Sequence, residues 1–143
     1  MDQVPESPQD IVERVGQLRR VTATYRSRYG PTLELRSLAK TEDRIDEARR
    51  RLITEMERAR KEKVKILKIV HGWGSTGEGG TLGPAIRKSL RLRVKEGKAT
   101  FVVPGERFSS DANDGRELVQ RHPGVRRDID FNRANPGITI VEL

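Results

Sequence analysis

The strongest constraint on the fold is the segment from residue 64 to residue 81. An apolar, largely β-branched run (residues 64–70, interrupted by Lys65 and Lys68) leads into His71-Gly72-Trp73-Gly74. A glycine-rich stretch then continues through Gly77 to Gly80. A run of this length and composition predicts an interior strand. Thr81 then caps a helix with Leu82, Ala85, Ile86 and Leu90 on its inner face and Arg87, Lys88 and Arg91 on its outer face. Strand, glycine loop and helix in this order describe an α/β unit with its loop at the carboxyl end of a strand, where ligands of open sheets bind.

The flanking segments extend the pattern. Leu33 and Leu35 alternate with Glu34 and Arg36, predicting a short strand whose two charged residues point the same way. Thr41-Glu42-Asp43 predicts the cap of a long helix with Ile45, Ala48, Leu52, Met56 and Ala59 buried and Arg44, Arg51, Arg58 and Lys61 solvated. Residues 99–103 and 137–143 read as two further strands. The expected fold is a two-layer α/β sandwich with a mixed sheet in the order β-α-β-α-β-β, spanning residues 31–143. Residues 104–136 are expected to form a long flexible loop with a short helix near residues 114–122, and His122 is expected at the surface. Before the domain, Ser7-Pro8-Gln9-Asp10 starts an amino-terminal helix with Ile11, Val15 and Leu18 on one face. Residues 21–29 read as a basic, aromatic arm ending at Gly30-Pro31.

Length allows one core, and a formal charge of +8 favours a polyanionic partner, nucleic acid before membrane. The absence of cysteine excludes disulfides, thiolate metal sites and a cysteine nucleophile. With neither a secretory signal nor a transmembrane-length run, the expectation is a soluble cytoplasmic protein.

The glycine loop suits phosphate, because Gly72, Gly74 and Gly77 allow close backbone approach and the helix start at Thr81 favours negative charge. His71 titrates near neutral pH and is a candidate general acid or base, and Trp73 can stack on an unpaired base. Arg87, Lys88 and Arg91 are candidate phosphate contacts. The loop is not a P-loop, two histidines define no hydrolytic triad or metal cluster, and one acid such as Glu34 is not by itself a Mg²⁺ site.

Residues 69–74 (Ile-Val-His-Gly-Trp-Gly), Thr81-Leu82 with Ile86 and Leu90, and the closing Gly137-Ile138-Thr139-Ile140-Val141-Glu142-Leu143 resemble the Smr (small MutS-related) domain family. The resemblance covers about the last four fifths of the chain. It implies DNA-nicking or RNA-cleaving activity, ribosome-linked roles, and a fold like the carboxyl-terminal domain of translation initiation factor three. A second family motif, Leu-Asp-x-His-Gly, is replaced here by Leu33-Glu34-Leu35-Arg36-Ser37. On this resemblance His71 is the general acid or base, Glu34 a base or orienting group, and Arg36 a phosphate clamp, since a guanidinium does not give up its proton. The expectation is therefore an endonuclease acting on DNA or RNA, with Mg²⁺ as a possible cofactor. Its alternatives are a nucleic-acid or ribosome-binding module without cleavage, and an adaptor docking through the amino-terminal helix.

Overall fold

In the computed structural model, residues 23–26, 31–38, 41, 43–73 and 79–143 are described. The expected amino-terminal helix, Gly74 and Gly77 lie outside them. Eight elements follow in chain order: β1 (Ala23–Arg26), β2 (Pro31–Glu34), α1 (Arg44–Lys61), β3 (Ile66–Val70), α2 (Gly79–Lys95), β4 (Phe101–Pro104), α3 (Asn113–Arg121) and β5 (Ile138–Glu142). The five strands form one mixed sheet in the order β1-β2-β3-β5-β4, in which β2 and β3 are parallel and every other pair is antiparallel. The α/β architecture is as expected. The arm differs, because residues 23–26 add an edge strand to β2.

Side-chain alternation assigns each face of the sheet. Leu33, Leu35, Leu67, Ile69 and Val141 meet Ala48, Leu52 and Met56 of α1 and Leu82, Ile86 and Leu90 of α2 in one buried cluster. This is the helical layer, and the apolar stripes that form it are those the 3.6-residue period picks out. The cap of α1 differs from expectation: Asp43 occupies the cap position without a side-chain hydrogen bond.

The opposite face is also covered. Ile66, Val103, Ile138 and Ile140 bury against Phe108, Leu118 and Val125, which come from the segment expected to be a flexible loop. That segment is built from short 3₁₀ turns at Gly105–Arg107 and Pro123–Arg127 flanking α3. Phe108 and Phe131 meet edge to face at 5.1 Å. Four or five apolar residues spaced through a polar stretch show no period in the sequence, yet they suffice to bury an otherwise exposed sheet face. His122 is half-buried rather than at the surface, with its Nε2 2.6 Å from Glu142 Oε2.

A buried ion cluster fixes this segment to the sheet. Lys68, in the centre of β3, places its Nζ 2.9 Å from Asp128 Oδ1 and 2.5 Å from Asp130 Oδ2. Burial alone would lower the Lys68 pKa, but the hydrogen bonds to Asp130 and Asp128 outweigh it and hold the ammonium above its usual value. Burial likewise acts to raise Asp130, and the bonds from Lys68 and Asn135 reverse that to a lowered pKa.

Replacing Lys68 with Met should destabilise the fold by about 3–5 kcal/mol, because it leaves buried carboxylates without their ammonium. The triple variant Lys68→Met/Asp128→Asn/Asp130→Asn should recover much of that loss in denaturant titrations. The folded pKa of Asp130 lies below its unfolded one. Its contribution is therefore complete above the ordinary carboxylate range and is lost as pH falls through the folded value. Acid titration of wild type and Asp130→Asn should show the difference between them closing at low pH.

Candidate nucleic-acid interface

Parallel pairing of β2 with β3 brings the two sequence motifs together. Glu34 lies opposite Val70, and the Leu35 amide donates to the Val70 carbonyl at 2.8 Å, so both chains leave the sheet side by side at its carboxyl end. Arg36 then lies over the His71–Gly72 bend. Gly72 has φ +81°, and a Cβ there would stand 3.0 Å from Arg36 Cγ. Only glycine combines that left-handed conformation with so close a neighbour.

His71 occupies the interior of this junction. It is 2% exposed. A Cβ on Gly83 of α2 would sit 3.0 Å from its Nδ1, so glycine at residue 83 is what lets the helix close over the ring. Nδ1 is 3.0 Å from the Gly72 carbonyl, and Nε2 is 2.9 Å from Thr139 Oγ1. A carbonyl only accepts, which assigns the proton of the neutral ring to Nδ1 and makes Nε2 the acceptor of the Thr139 hydroxyl. Thr139 Oγ1 in turn accepts from Arg87 Nε at 3.0 Å. The amides of His71 and Gly72 both donate to the Gly137 carbonyl at 3.0 Å. Burial lowers the His71 pKa, opposed by the bond to Gly72 and reinforced by the nearby Arg87 charge. The arrangement is a neutral imidazole with both nitrogens engaged by the protein.

Arg87, expected on the outer face as a phosphate contact, is turned inward. Its guanidinium bridges Glu106, at 2.7 and 3.1 Å, and the carbonyls of Pro136 and Ile138, at 3.1 and 3.0 Å. A long side chain at the edge of the buried stripe can reach over the sheet end to backbone carbonyls there. Partial burial would raise the Glu106 pKa, but the hydrogen bonds from Arg87 outweigh it and keep the carboxyl below its usual range.

Glu34 and Arg36 do face the same way, in a forked ion pair with Arg36 Nε 2.9 Å and NH2 2.7 Å from Glu34 Oε1. The Arg36 side chain is 62% exposed and that of Glu34 13%. Sequence reasoning missed Arg44. Expected in solvent, it is buried at the start of α1, where its NH2 donates to the Arg36 carbonyl at 3.3 Å and steadies the turn that carries Arg36. A charged residue at the head of an amphipathic helix carries no sequence signal for inward packing. Among the described residues no group of three or more His, Asp or Glu is placed to hold a metal ion. Of the described acids near this junction, Glu34 is taken up by Arg36 and Glu106 by Arg87, so the described residues do not fit a protein-held Mg²⁺.

The remaining candidates lie further out. Trp73 is 63% exposed. Thr81, Lys88 and Arg91 are exposed on α2, and Lys95 continues the same face at helical spacing. α2 carries Arg87, Lys88, Arg91, Arg93 and Lys95 and no acid along Gly79–Lys95. Arg87 is neutralised by Glu106 and Arg93 by Glu96. Among the described residues Lys88, Arg91 and Lys95 have no carboxylate partner, whereas α1 spaces Asp46, Glu47 and Glu55 against Arg49, Arg51 and Arg58.

Because the folded His71 pKa is below the unfolded value near 6.5, the unfolded chain takes up a proton first as pH falls, and stability declines below about pH 6.5. The melting temperature should therefore drop between about pH 7.5 and 5.5, and His71→Gln should shrink that drop. An equal drop in the two proteins would show that His71 is not held neutral.

No protein-family model, curated protein or solved structure matches this chain.

Proposed function

We propose that the domain binds a polynucleotide through its phosphate backbone, along the outer face of α2 and the adjoining Arg36–Trp73 edge, and does so without cleaving it. The observation that carries this reading is the uncompensated cationic face of α2, with Lys88, Arg91 and Lys95 exposed and unpaired beside a first turn that contains no acid. Like charges along one helix face repel one another. A polyanion laid along them converts that repulsion into attraction by releasing its counterions. Trp73, exposed at the strand end, adds a surface on which an unpaired base can stack.

The reading agrees with the sequence resemblance to Smr domains in partner class and departs from it in chemistry. A general acid or base must reach the atom it protonates. Both His71 nitrogens are spent within the fold, and Arg36 is paired with Glu34. Under this proposal His71 holds the loop in place and Arg36 guides a phosphate electrostatically, as an exposed cation beside the path. Among the described residues no helix is long and apolar enough to cross a membrane.

The test measures affinity for unrelated single-stranded RNA and DNA sequences across a salt series. Lys88→Ala/Arg91→Ala/Lys95→Ala should weaken all of them alike, by about tenfold or more, since binding to phosphates carries no base information. It should also flatten the log–log salt slope by about 0.7 for each phosphate of a single strand that is no longer neutralised. Weakening confined to one sequence, or none at all, contradicts the proposal. Cleavage by wild type that disappears in His71→Ala would restore the nuclease reading.

A further inference from the structure

At the end of the domain opposite His71, α1 and α2 finish side by side with the same kind of stop. The Val64 amide reaches back to the Ala59 carbonyl and Lys63 to Arg60. Likewise Lys98 reaches back to Arg93 and Gly97 to Val94. In both, the second residue after the helix takes the left-handed conformation, Lys63 at φ 62° and Gly97 at φ 77°. Glycine is the ordinary occupant of this position, and a residue with a Cβ is disfavoured there. The second helix uses glycine. The first carries a lysine, and its side chain lines the cleft between the two stops.

That cleft has a volume of about 280 Å³ and is lined by Arg60, Lys63, Lys65 and Lys98, over a floor that includes Ala99 and Leu143. All four cations are exposed, and the one carboxylate paired with them among the described ion pairs is Glu96, 3.8 Å from Lys98. Cations near a helix end also complement its dipole, but Arg58, Arg60 and Lys61 already supply that in the last turn of α1. The dipole does not account for a lysine at a position where glycine would cost less.

The cleft lies at the carboxyl end of the helix that carries the face described above. Thr81, Lys88, Arg91 and Lys95 follow one another at helical spacing, and Lys98 stands just beyond the end of the helix. We propose that the cleft is a second phosphate-binding site, which receives the backbone of the same polynucleotide after it has run the length of α2. The inference rests on the proposed reading of α2 as a polynucleotide path. A 17-residue helix rises about 26 Å, long enough to run beside several successive phosphates. Such a site would make affinity depend on strand length and lend the domain a directionless, sequence-independent grip.

The experiment uses the full chain with Lys63→Gly and with Lys63→Gly/Lys98→Ala. Lys63→Gly should raise the melting temperature, because glycine takes the left-handed conformation without penalty, while weakening binding of a single strand of about 20 nucleotides. The double variant should lose about fivefold to tenfold in affinity and flatten the salt slope by about one unit, with Lys88→Ala/Arg91→Ala/Lys95→Ala as the comparison for the main path. In parallel, sodium tripolyphosphate is titrated against amide resonances, where shifts at Gly97 and Thr100 that vanish in the double variant are expected. Unchanged oligonucleotide affinity in a folded double variant overturns the proposed path while leaving the α2 reading intact. If tripolyphosphate alone is bound there, the cleft belongs to a free polyphosphate and the inference of a strand path falls. If wild type binds no oligonucleotide, the α2 reading and the strand path fall together, and the tripolyphosphate shifts still decide whether the cleft takes phosphate. If no shift appears with either probe, the cleft is not a phosphate site.

Discussion

The His71 junction at the end of β3 is tied to β5 and α2 by one relay of hydrogen bonds, from Arg87 to Thr139, from Thr139 to His71, and from His71 to the Gly72 carbonyl. Its members come from α2, β5 and the end of β3, and Thr139 lies 68 residues from His71 in the chain. A relay of this kind is strengthened by its low-dielectric surroundings and is costly to leave half made. Gly83 lets α2 close over the imidazole, and Gly72 lets the chain turn beneath the Arg36 stem. This junction fixes where the glycine loop departs and adds a polar tie to the apolar seat of α2 on the sheet.

The same economy divides the cations into two populations. Lys68, Arg87 and Arg121 are each tied to carboxylates that belong to the fold, in pairs that span β3, α2, α3 and β5. These charges are internal to the architecture and are not available to a partner. Lys88, Arg91 and Lys95, with Lys63 and Lys65 beyond them, are exposed with no carboxylate within bonding distance among the described residues. Lys88, Arg91 and Lys95 thus put a run of unpaired positive charge on the outer face of a helix whose opposite side packs Leu82, Ile86 and Leu90 into the core.

Much of this was legible in the sequence, for a definite reason. The helical stripes Ala48-Leu52-Met56 and Leu82-Ile86-Leu90 and the run ahead of His71 are set by local periodicity, and the structure buries them where that periodicity requires. The approach of Glu34 and Arg36 to the His71–Gly72 bend also follows once β2 and β3 are parallel. Three features were not legible. Residues 105–136 cover the second sheet face through Phe108, Leu118 and Val125, whose spacing has no period because the segment turns several times between them. Arg87 and Lys88 are adjacent cations on one helix, and only the position of Glu106 and the β5 carbonyls sends one inward and leaves the other out. The burial of His71 depends on Thr139, 68 residues away in the chain. A candidate catalytic residue and a structural one look alike until that partner is in place.

The most direct test of the account is the amide chemical-shift footprint of a single-stranded oligonucleotide on the full chain. The predicted footprint follows the exposed face of α2, from Thr81 through Lys88, Arg91 and Lys95, and includes Arg36 and Trp73. The amides of α3 and of the 3₁₀ turn at Pro123–Arg127 should stay unmoved, and His71 should keep its Nδ1-protonated neutral ring throughout. A footprint centred on α3, or one in which the His71 ring changes protonation or partner while the α2 face stays silent, would contradict it.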